Sequence, residues 1–122
     1  MSEIRGIDVK KGLSLLYNNS ALYVRLLNVF ASGTLFSDLT AAVAVGDPAD
    51  ISAKAHAVKG VAGNLSMTDL YDASLKVELA GKAGETITSD GELMTQITEI
   101  FNYTMDSVNF LIANPSEVEN YK

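Results

Sequence analysis

Apolar residues recur along most of the chain at spacings of three and four, the period of helices that bury one face. The strict alternation of apolar and polar residues that marks a half-buried strand is missing. The pattern predicts a short helix and then four long ones, over Val9 to about Tyr17, Ala21 to about Val45, Pro48 to about Asn64, Ser66 to a stop at Gly81, and Glu92 to about Ala113. The fold class is therefore all-α, and we expect an antiparallel four-helix bundle with a short N-terminal capping helix.

Glycine, proline and short polar side chains mark the predicted helix ends. Gly46-Asp47-Pro48 ends one long helix and starts the next, with aspartate as the cap and proline at the first helical position. Ser66-Met67-Thr68-Asp69 has the spacing of a capping box for the helix that follows. Ser32-Gly33-Thr34 is a weak point inside the first long segment, which we predict to be one bent helix. Residues 116–122 are predicted to be a frayed tail.

Size and composition indicate one globular domain over residues 1–122. Hydrophobic residues make up 48% and charged residues 20% of the chain, which argues against disorder. Cysteine is absent, which excludes disulfides and thiolate chemistry. The net charge is −6 and the nine Lys and Arg residues are scattered, so we expect no nucleic-acid binding. No uninterrupted apolar stretch has the roughly 18 residues of a membrane span, and the N-terminus lacks a signal-peptide core, so we expect no membrane.

The single histidine lies on the polar side of the second long helix. His56, Lys59, Gly60 and Gly63 share one helical face. The opposite face carries an apolar stripe suited to a core, made of Ile51, Ala55, Val58, Ala62 and Leu65. The imidazole is therefore expected at the surface, with a positive charge one turn away and two residues without side chains beside it.

The two glycines on the histidine face need an explanation, because each costs about 1 kcal/mol relative to alanine inside a helix. Gly60 and Gly63 lie away from the apolar stripe, so they do not help the monomer to pack its core. We infer that they permit close approach of another protein. Asp69, Asp72 and Glu78 have no partner histidine or second carboxylate cluster in the pattern, and we predict them to be solvated, with Asp69 as a helix cap.

The run Ala55-His56-Ala57-Val58-Lys59-Gly60-Val61-Ala62-Gly63-Asn64-Leu65 resembles the signature of histidine-containing phosphotransfer (HPt) domains. Weaker similarities flank it, at Gly6-Ile7-Asp8 with Gly12-Leu13, the Leu22 to Phe30 run, Leu39 with Ala42, Gly46-Asp47, and Leu70, Ala73, Val77 and Glu78. The resemblance covers residues 6–82 of the chain. Ser66 replaces a glycine that is common in the family and Val77 replaces a leucine, and neither change touches the histidine face.

The resemblance implies a helical bundle that relays phosphoryl groups in multistep two-component signalling. His56 would accept the phosphoryl group on Nε2 from an aspartate of a receiver domain and pass it to another receiver. Lys59 would neutralise the phosphate charge, Gly60 would clear space beside it, and Gly63 would keep the docking face flat. The partners would be receiver domains of response regulators or hybrid histidine kinases, which supply the Mg²⁺. The chain itself would need no cofactor, would be a monomer, and, lacking a P-loop, would be a phosphocarrier rather than an enzyme. Together with the missing signal-peptide core, the resemblance implies a cytoplasmic location.

Three apolar residues on the neighbouring helix, Leu35, Phe36 and Leu39, are candidates for the rim of the docking surface. Core packing is the alternative, and we expect it for at least two of the three. Two other functions stay open. A non-catalytic helical adaptor would bind its partner on the His56 face without phosphate. A cofactor-binding bundle would use His56 as an axial ligand pointing into the bundle, although the sequence offers no second ligand.

Overall fold

The all-α prediction is confirmed over residues 4–122, the part of the chain that a computed structural model describes. No β-strand occurs among these residues. The helices are α1 (Val9–Ser14), α2 (Ser20–Ser32), α3 (Leu35–Val45), α4 (Pro48–Asn64), α5 (Thr68–Lys82), α6 (Glu92–Ala113) and a 3₁₀ helix (Pro115–Tyr121). α4 packs against α3 on one side and α5 on the other, α5 also packs against α6, and α6 packs against α2.

The prediction of one bent helix across Ser32-Gly33-Thr34 is wrong, because the chain breaks there into α2 and α3. Gly33 is extended, with φ −81° and ψ 176°, so the helical hydrogen-bond ladder cannot continue through it. The hydroxyl of Ser32 lies 2.9 Å from the carbonyl of Asn28 and 3.3 Å from that of Val29, and the Val29 carbonyl is one of those left free at the end of α2. The break gives α2 and α3 different directions and different neighbours.

The stretch Ser20–Val45 is long and apolar enough to cross a membrane when judged by length and composition alone. A core helix of a folded domain passes the same test, so this is weak evidence for a membrane span. In the structure the break at Gly33 interrupts this stretch. The stretch contributes Tyr23, Leu27 and Leu39 to the core. The prediction that the protein has no membrane segment stays a prediction.

Local sequence accounts for where α4 begins and for the face that it buries. The Asp47 side chain accepts a hydrogen bond from the Ala49 amide at 3.1 Å, and Pro48 occupies the first turn. The predicted apolar stripe is buried in full, at Ile51, Ala55, Val58, Ala62 and Leu65. Burial of this stripe fixes the rotation of α4 about its axis and therefore turns the polar face with the histidine outward.

α4 and α5 are antiparallel and lie unusually close. Near the start of α4, Gly81 faces Pro48 and Ser52, and a Cβ added to the glycine would lie 2.7 Å from the Pro48 carbonyl oxygen. The Ser52 hydroxyl donates to the carbonyl of Glu78 at 3.1 Å. At the other end of the pair, Gly63 lies beneath a ring of α5. Small residues at both ends therefore let the two backbones approach, and this approach places side chains of α5 beside those of α4.

The predicted capping box at Ser66 is wrong. Ser66 has a left-handed backbone, with φ 55°, and α5 begins after Met67 with no side-chain cap. Asp69, predicted to cap the helix, instead accepts a hydrogen bond from the Tyr103 hydroxyl at 2.5 Å. Asp72 is exposed, as predicted. The turn between α4 and α5 is stabilised by backbone bonds, with the Met67 amide donating to the Ala62 carbonyl at 2.8 Å.

The predicted frayed tail is also wrong, because residues 115–121 form the 3₁₀ helix. The apolar side chain of Val118 is buried, which removes it from water and holds the segment against α1, α2 and α6. The Ser20 hydroxyl also donates to the Glu119 carboxylate. The C-terminal segment therefore covers the end of the molecule where α1 and α2 meet.

We expect Gly81→Ala to lower the free energy of unfolding by about 1–3 kcal/mol, because the new Cβ would push α5 away from α4. The matched control is Gly60→Ala in α4, where a Cβ would meet nothing within 4 Å. There the alanine is expected to stabilise by up to about 1 kcal/mol. Urea unfolding followed by circular dichroism measures both. Equal effects of the two substitutions would contradict the close backbone approach at Gly81.

Candidate functional site

The His56 ring lies at the surface, with 67% of its side chain exposed. It projects from the face of α4 opposite the buried stripe, as the spacing predicts. An axial ligand would have to point inward, so this position does not suit the cofactor-binding alternative. Within residues 4–122, no group of three or more His, Cys, Asp or Glu side chains is arranged to hold a metal ion.

Glu78 of α5 is buried to 2% exposure directly beside the histidine, and the prediction that it is solvated is wrong. Its Oε2 lies 2.9 Å from Nδ1 of His56 and 3.2 Å from Nζ of Lys82. Its Oε1 lies 2.6 Å from Nζ of Lys59. One buried carboxylate is thus surrounded by an imidazole and two ammonium groups, an arrangement we call the Glu78 cluster.

A signal for the Glu78 cluster exists in the sequence, although it was missed. His56 and Glu78 lie equally far before and after Met67, at the turn between α4 and α5. An antiparallel pair with a short turn brings such positions face to face. Lys82 then follows Glu78 by one helical turn and adds a second cation on the same face.

The three partners keep the Glu78 carboxyl ionised. The contact with Lys59 is the main cause that lowers the pKa of Glu78 from its ordinary 4.5 to about 2. His56 and Lys82 lower it further, whereas burial acts in the opposite direction. The hydrogen bond with Glu78 also raises the pKa of Lys59. At neutral pH the cluster therefore contains a carboxylate and two ammonium groups.

The ionised carboxylate decides which nitrogen of the imidazole carries the proton. A carboxylate can only accept hydrogen bonds, so Nδ1 of His56 must be the protonated nitrogen that donates to Oε2. In the neutral ring, Nε2 then carries the lone pair. When the ring is neutral, the site therefore presents an unprotonated ring nitrogen from an exposed side chain, and a buried anion holds the ring in one orientation.

The two glycines of the histidine face have different surroundings. Gly60 is exposed, and a Cβ there would meet no atom within 4 Å, so the surface beside His56 is open. A Cβ on Gly63 would lie 3.3 Å from the ring of Tyr71. Gly63 therefore serves the packing of α5 on α4, which differs from the flat docking surface predicted for it. Lys59 is largely enclosed, since only 18% of its side chain is exposed, and its predicted role in neutralising phosphate charge stays a prediction.

The predicted rim residues separate in the structure. Leu39 is fully buried in the core and cannot contribute to a docking surface. Phe36 stacks on Phe101, with ring centroids 4.1 Å apart, and so packs toward α6. Leu35 alone of the three reaches the side of α4 that carries Val61, where it lines an open groove of about 400 Å³.

This groove was not predicted, and it is apolar. It lies between the end of α2, the start of α3 and the C-terminal turns of α4, one to two turns along α4 from His56. Its main side chains are Leu26, Val29, Leu35 and Val61, and Val29 is 62% exposed. The break at Gly33 creates the groove, because an unbroken helix would continue past α4 instead of folding over it. The groove offers a small apolar contact area to a protein partner.

No protein-family model matches the chain. No curated protein matches it, and no solved structure matches it.

The pKa of Glu78 predicts a specific loss of stability in acid. Above about pH 4.5 the carboxyl is ionised in both the folded and the unfolded chain, and the Glu78 cluster stabilises the folded state in full. As the pH falls from about 4.5 toward 2, the unfolded chain takes up a proton that folded Glu78 does not, so the free energy of unfolding decreases. Urea unfolding measured over this range should show a steeper decrease for the native protein than for Glu78→Gln. Parallel pH profiles for the two proteins would contradict the ionised cluster.

Proposed function

We propose that this protein is a histidine phosphotransfer domain that accepts a phosphoryl group from a receiver-domain aspartate on His56 and passes it to another receiver. The observation that carries the proposal is the contact of 2.9 Å between Nδ1 of exposed His56 and buried Glu78. It leaves Nε2 as an oriented nucleophile. In this proposal, α2 with α3, α4, α5 and α6 form an antiparallel four-helix bundle, and α1 caps one end.

The transfer step follows from the tautomer. The Nε2 lone pair attacks the phosphorus of the aspartyl phosphate, the bond from phosphorus to the aspartate oxygen breaks, and the aspartate leaves as a carboxylate. The Nδ1 proton stays in place, so the ring becomes positively charged as the nitrogen–phosphorus bond forms. Glu78 faces that developing charge from a buried position, where its effect is largest. The reverse sequence returns the phosphoryl group to a second receiver.

The other components of the reaction are assigned to the partner. A receiver domain supplies the aspartyl phosphate, the Mg²⁺ that screens it and the in-line geometry. The protein itself is a carrier that returns to its starting state after each pair of transfers, rather than an enzyme with its own turnover, and needs no cofactor. In this role it would be a cytoplasmic monomer.

The receiver is expected to dock over Gly60 and the neighbouring apolar groove. The open surface at Gly60 lets another backbone approach the imidazole. Val29 and Leu35 offer apolar contact area within reach of the same partner, because both line the groove on the adjacent side of α4. The groove by itself would equally suit a non-catalytic adaptor, the second candidate function. Binding by an adaptor does not require a histidine that is oriented by a buried anion. The orientation of His56 therefore favours phosphotransfer.

We expect the protein to take radioactive phosphate from receivers that have been preloaded with labelled acetyl phosphate. The label should be acid-labile and alkali-stable, as phosphohistidine is, and His56→Gln should take none. Glu78→Ala should slow labelling by about tenfold or more, since it removes the group that selects the nucleophilic tautomer. Glu78→Gln keeps an acceptor for Nδ1 and should retain more activity than the alanine variant. Label on His56→Gln, or none on the native protein across a panel of receivers, would refute phosphotransfer and leave the adaptor.

We expect Val29→Asp to reduce the rate of transfer from a cognate receiver roughly tenfold, because it places a charge in the apolar part of the interface. Val45→Asp is the control, since Val45 is also an exposed helical valine, at 82% against 62% for Val29, and does not line the groove. Labelling reactions that are quenched at set times, at several receiver concentrations, separate weaker docking from a slower transfer step. Equal losses for both substitutions would show that the groove is not the docking surface.

A further inference from the structure

The two lysines of the Glu78 cluster are held in different ways. Lys59 is 18% exposed, and its Nζ lies 2.6 Å from Oε1. Lys82 is 63% exposed, and its Nζ lies 3.2 Å from Oε2. Lys59 is thus the closer and more enclosed partner, and Lys82 is the looser and more accessible one.

The two carboxylate oxygens of Glu78 also differ in the partners that would remain if one lysine moved away. Within residues 4–122, Nζ of Lys59 is the cation in ion-pair contact with Oε1, and this buried oxygen accepts no hydrogen bond of ordinary geometry. Moving Lys59 away would leave Oε1 buried without a partner, which is strongly unfavourable. Oε2 has both Lys82 and Nδ1 of His56, so departure of Lys82 leaves that oxygen hydrogen-bonded.

Lys82 is close enough to serve a group on the imidazole. Its Nζ and Nδ1 of His56 contact the same oxygen, so the two nitrogens cannot be farther apart than those two short distances taken together. A lysine head group on a flexible four-carbon stem can move from one edge of a ring to the other without any backbone change. An exposed lysine also loses little when it moves between two anions.

Charge balance supplies a reason for that movement. In the form that attacks phosphorus, in which the ring is neutral, the cluster holds one carboxylate against two ammonium groups, so cations are in excess. After transfer, the ring itself is positive and becomes the stronger partner of Glu78, while the phosphoryl group adds two negative charges just outside it. The ion pair with Lys82 then stabilises the carboxylate less, and a nearby cation would stabilise the phosphoryl group.

We infer that Lys82, and not Lys59, is the residue that pairs with the phosphoryl group on His56. Lys59 is a positioning residue, which acts on the histidine by holding Glu78 in place. This inference rests on the proposed function, because it assigns a role within the phosphorylated state. It differs from the expectation drawn from the resemblance, which gave the charge-neutralising role to Lys59.

Phosphoramidate, which phosphorylates exposed histidines without any protein partner, provides the test. The phosphoryl group on His56 is titrated by ³¹P NMR in the native protein and in the matched variants Lys59→Gln and Lys82→Gln. Glutamine removes the charge and keeps an N–H donor on a side chain that is one atom shorter, so both variants should fold. Lys76→Ala, an exposed lysine on another face of α5, is the control.

A cation that contacts the phosphoryl group lowers the pH midpoint of its second ionisation. We expect Lys82→Gln to raise that midpoint by about one pH unit, Lys82→Arg to restore it, and Lys76→Ala to leave it unchanged. Lys59→Gln should move the midpoint less than half as far but should lower the melting temperature more than Lys82→Gln does.

The opposite pattern, in which Lys59→Gln moves the midpoint and Lys82→Gln does not, would overturn the inference, and so would a midpoint that no lysine variant moves. These outcomes leave the proposed function standing, because chemical labelling bypasses the receiver. Failure of every receiver to transfer, with the Lys82 effect intact, would contradict the proposed function alone. A His56 that phosphoramidate cannot label would contradict both.

Discussion

The buried carboxylate of Glu78 is the interaction on which the site depends. The Glu78 side chain is only 2% exposed and lies between two helices. A charge buried in this way is tolerated only if it is paired, and the partners of Glu78 come from both helices. Because Lys59 and His56 lie on α4 and Lys82 on α5, the same carboxylate stabilises the register of the helix pair and orients the ring. A shift of α5 along α4 would break the ion pair of Glu78 with Lys59 and, at the same time, the contact that orients the imidazole.

The close approach of α4 and α5 makes that pairing geometrically available. Gly81 allows the α5 backbone to approach Pro48 and Ser52, and Gly63 leaves room for the ring of Tyr71 at the other end. A larger residue at either position would widen the gap, lengthen the contacts of Glu78 and admit water. Glycines that look unfavourable when each helix is considered alone are thus explained by the pair, with Gly60 as the exception that stays open to solvent.

Features set by the apolar spacing within one helix were predictable, and features set by contacts between distant segments were not. The buried stripe of α4 and the outward position of His56 follow from spacing within one helix, so they agree with prediction. The burial of Glu78 depends on where α5 lies against α4, which no single-helix pattern contains. The extended backbone at Gly33 likewise depends on α3 folding back over α4, and that break produces the apolar groove.

Ionised Glu78 fixes the neutral imidazole with its proton on Nδ1 and its lone pair on Nε2. A long-range ¹H–¹⁵N correlation spectrum of the imidazole, recorded where the ring is neutral, tests this most directly, and the chain's one histidine makes the assignment unambiguous. The structure predicts a protonated Nδ1 and an unprotonated Nε2 in the native protein, with the tautomer released in Glu78→Ala. A native spectrum with the proton on Nε2 would contradict the claim.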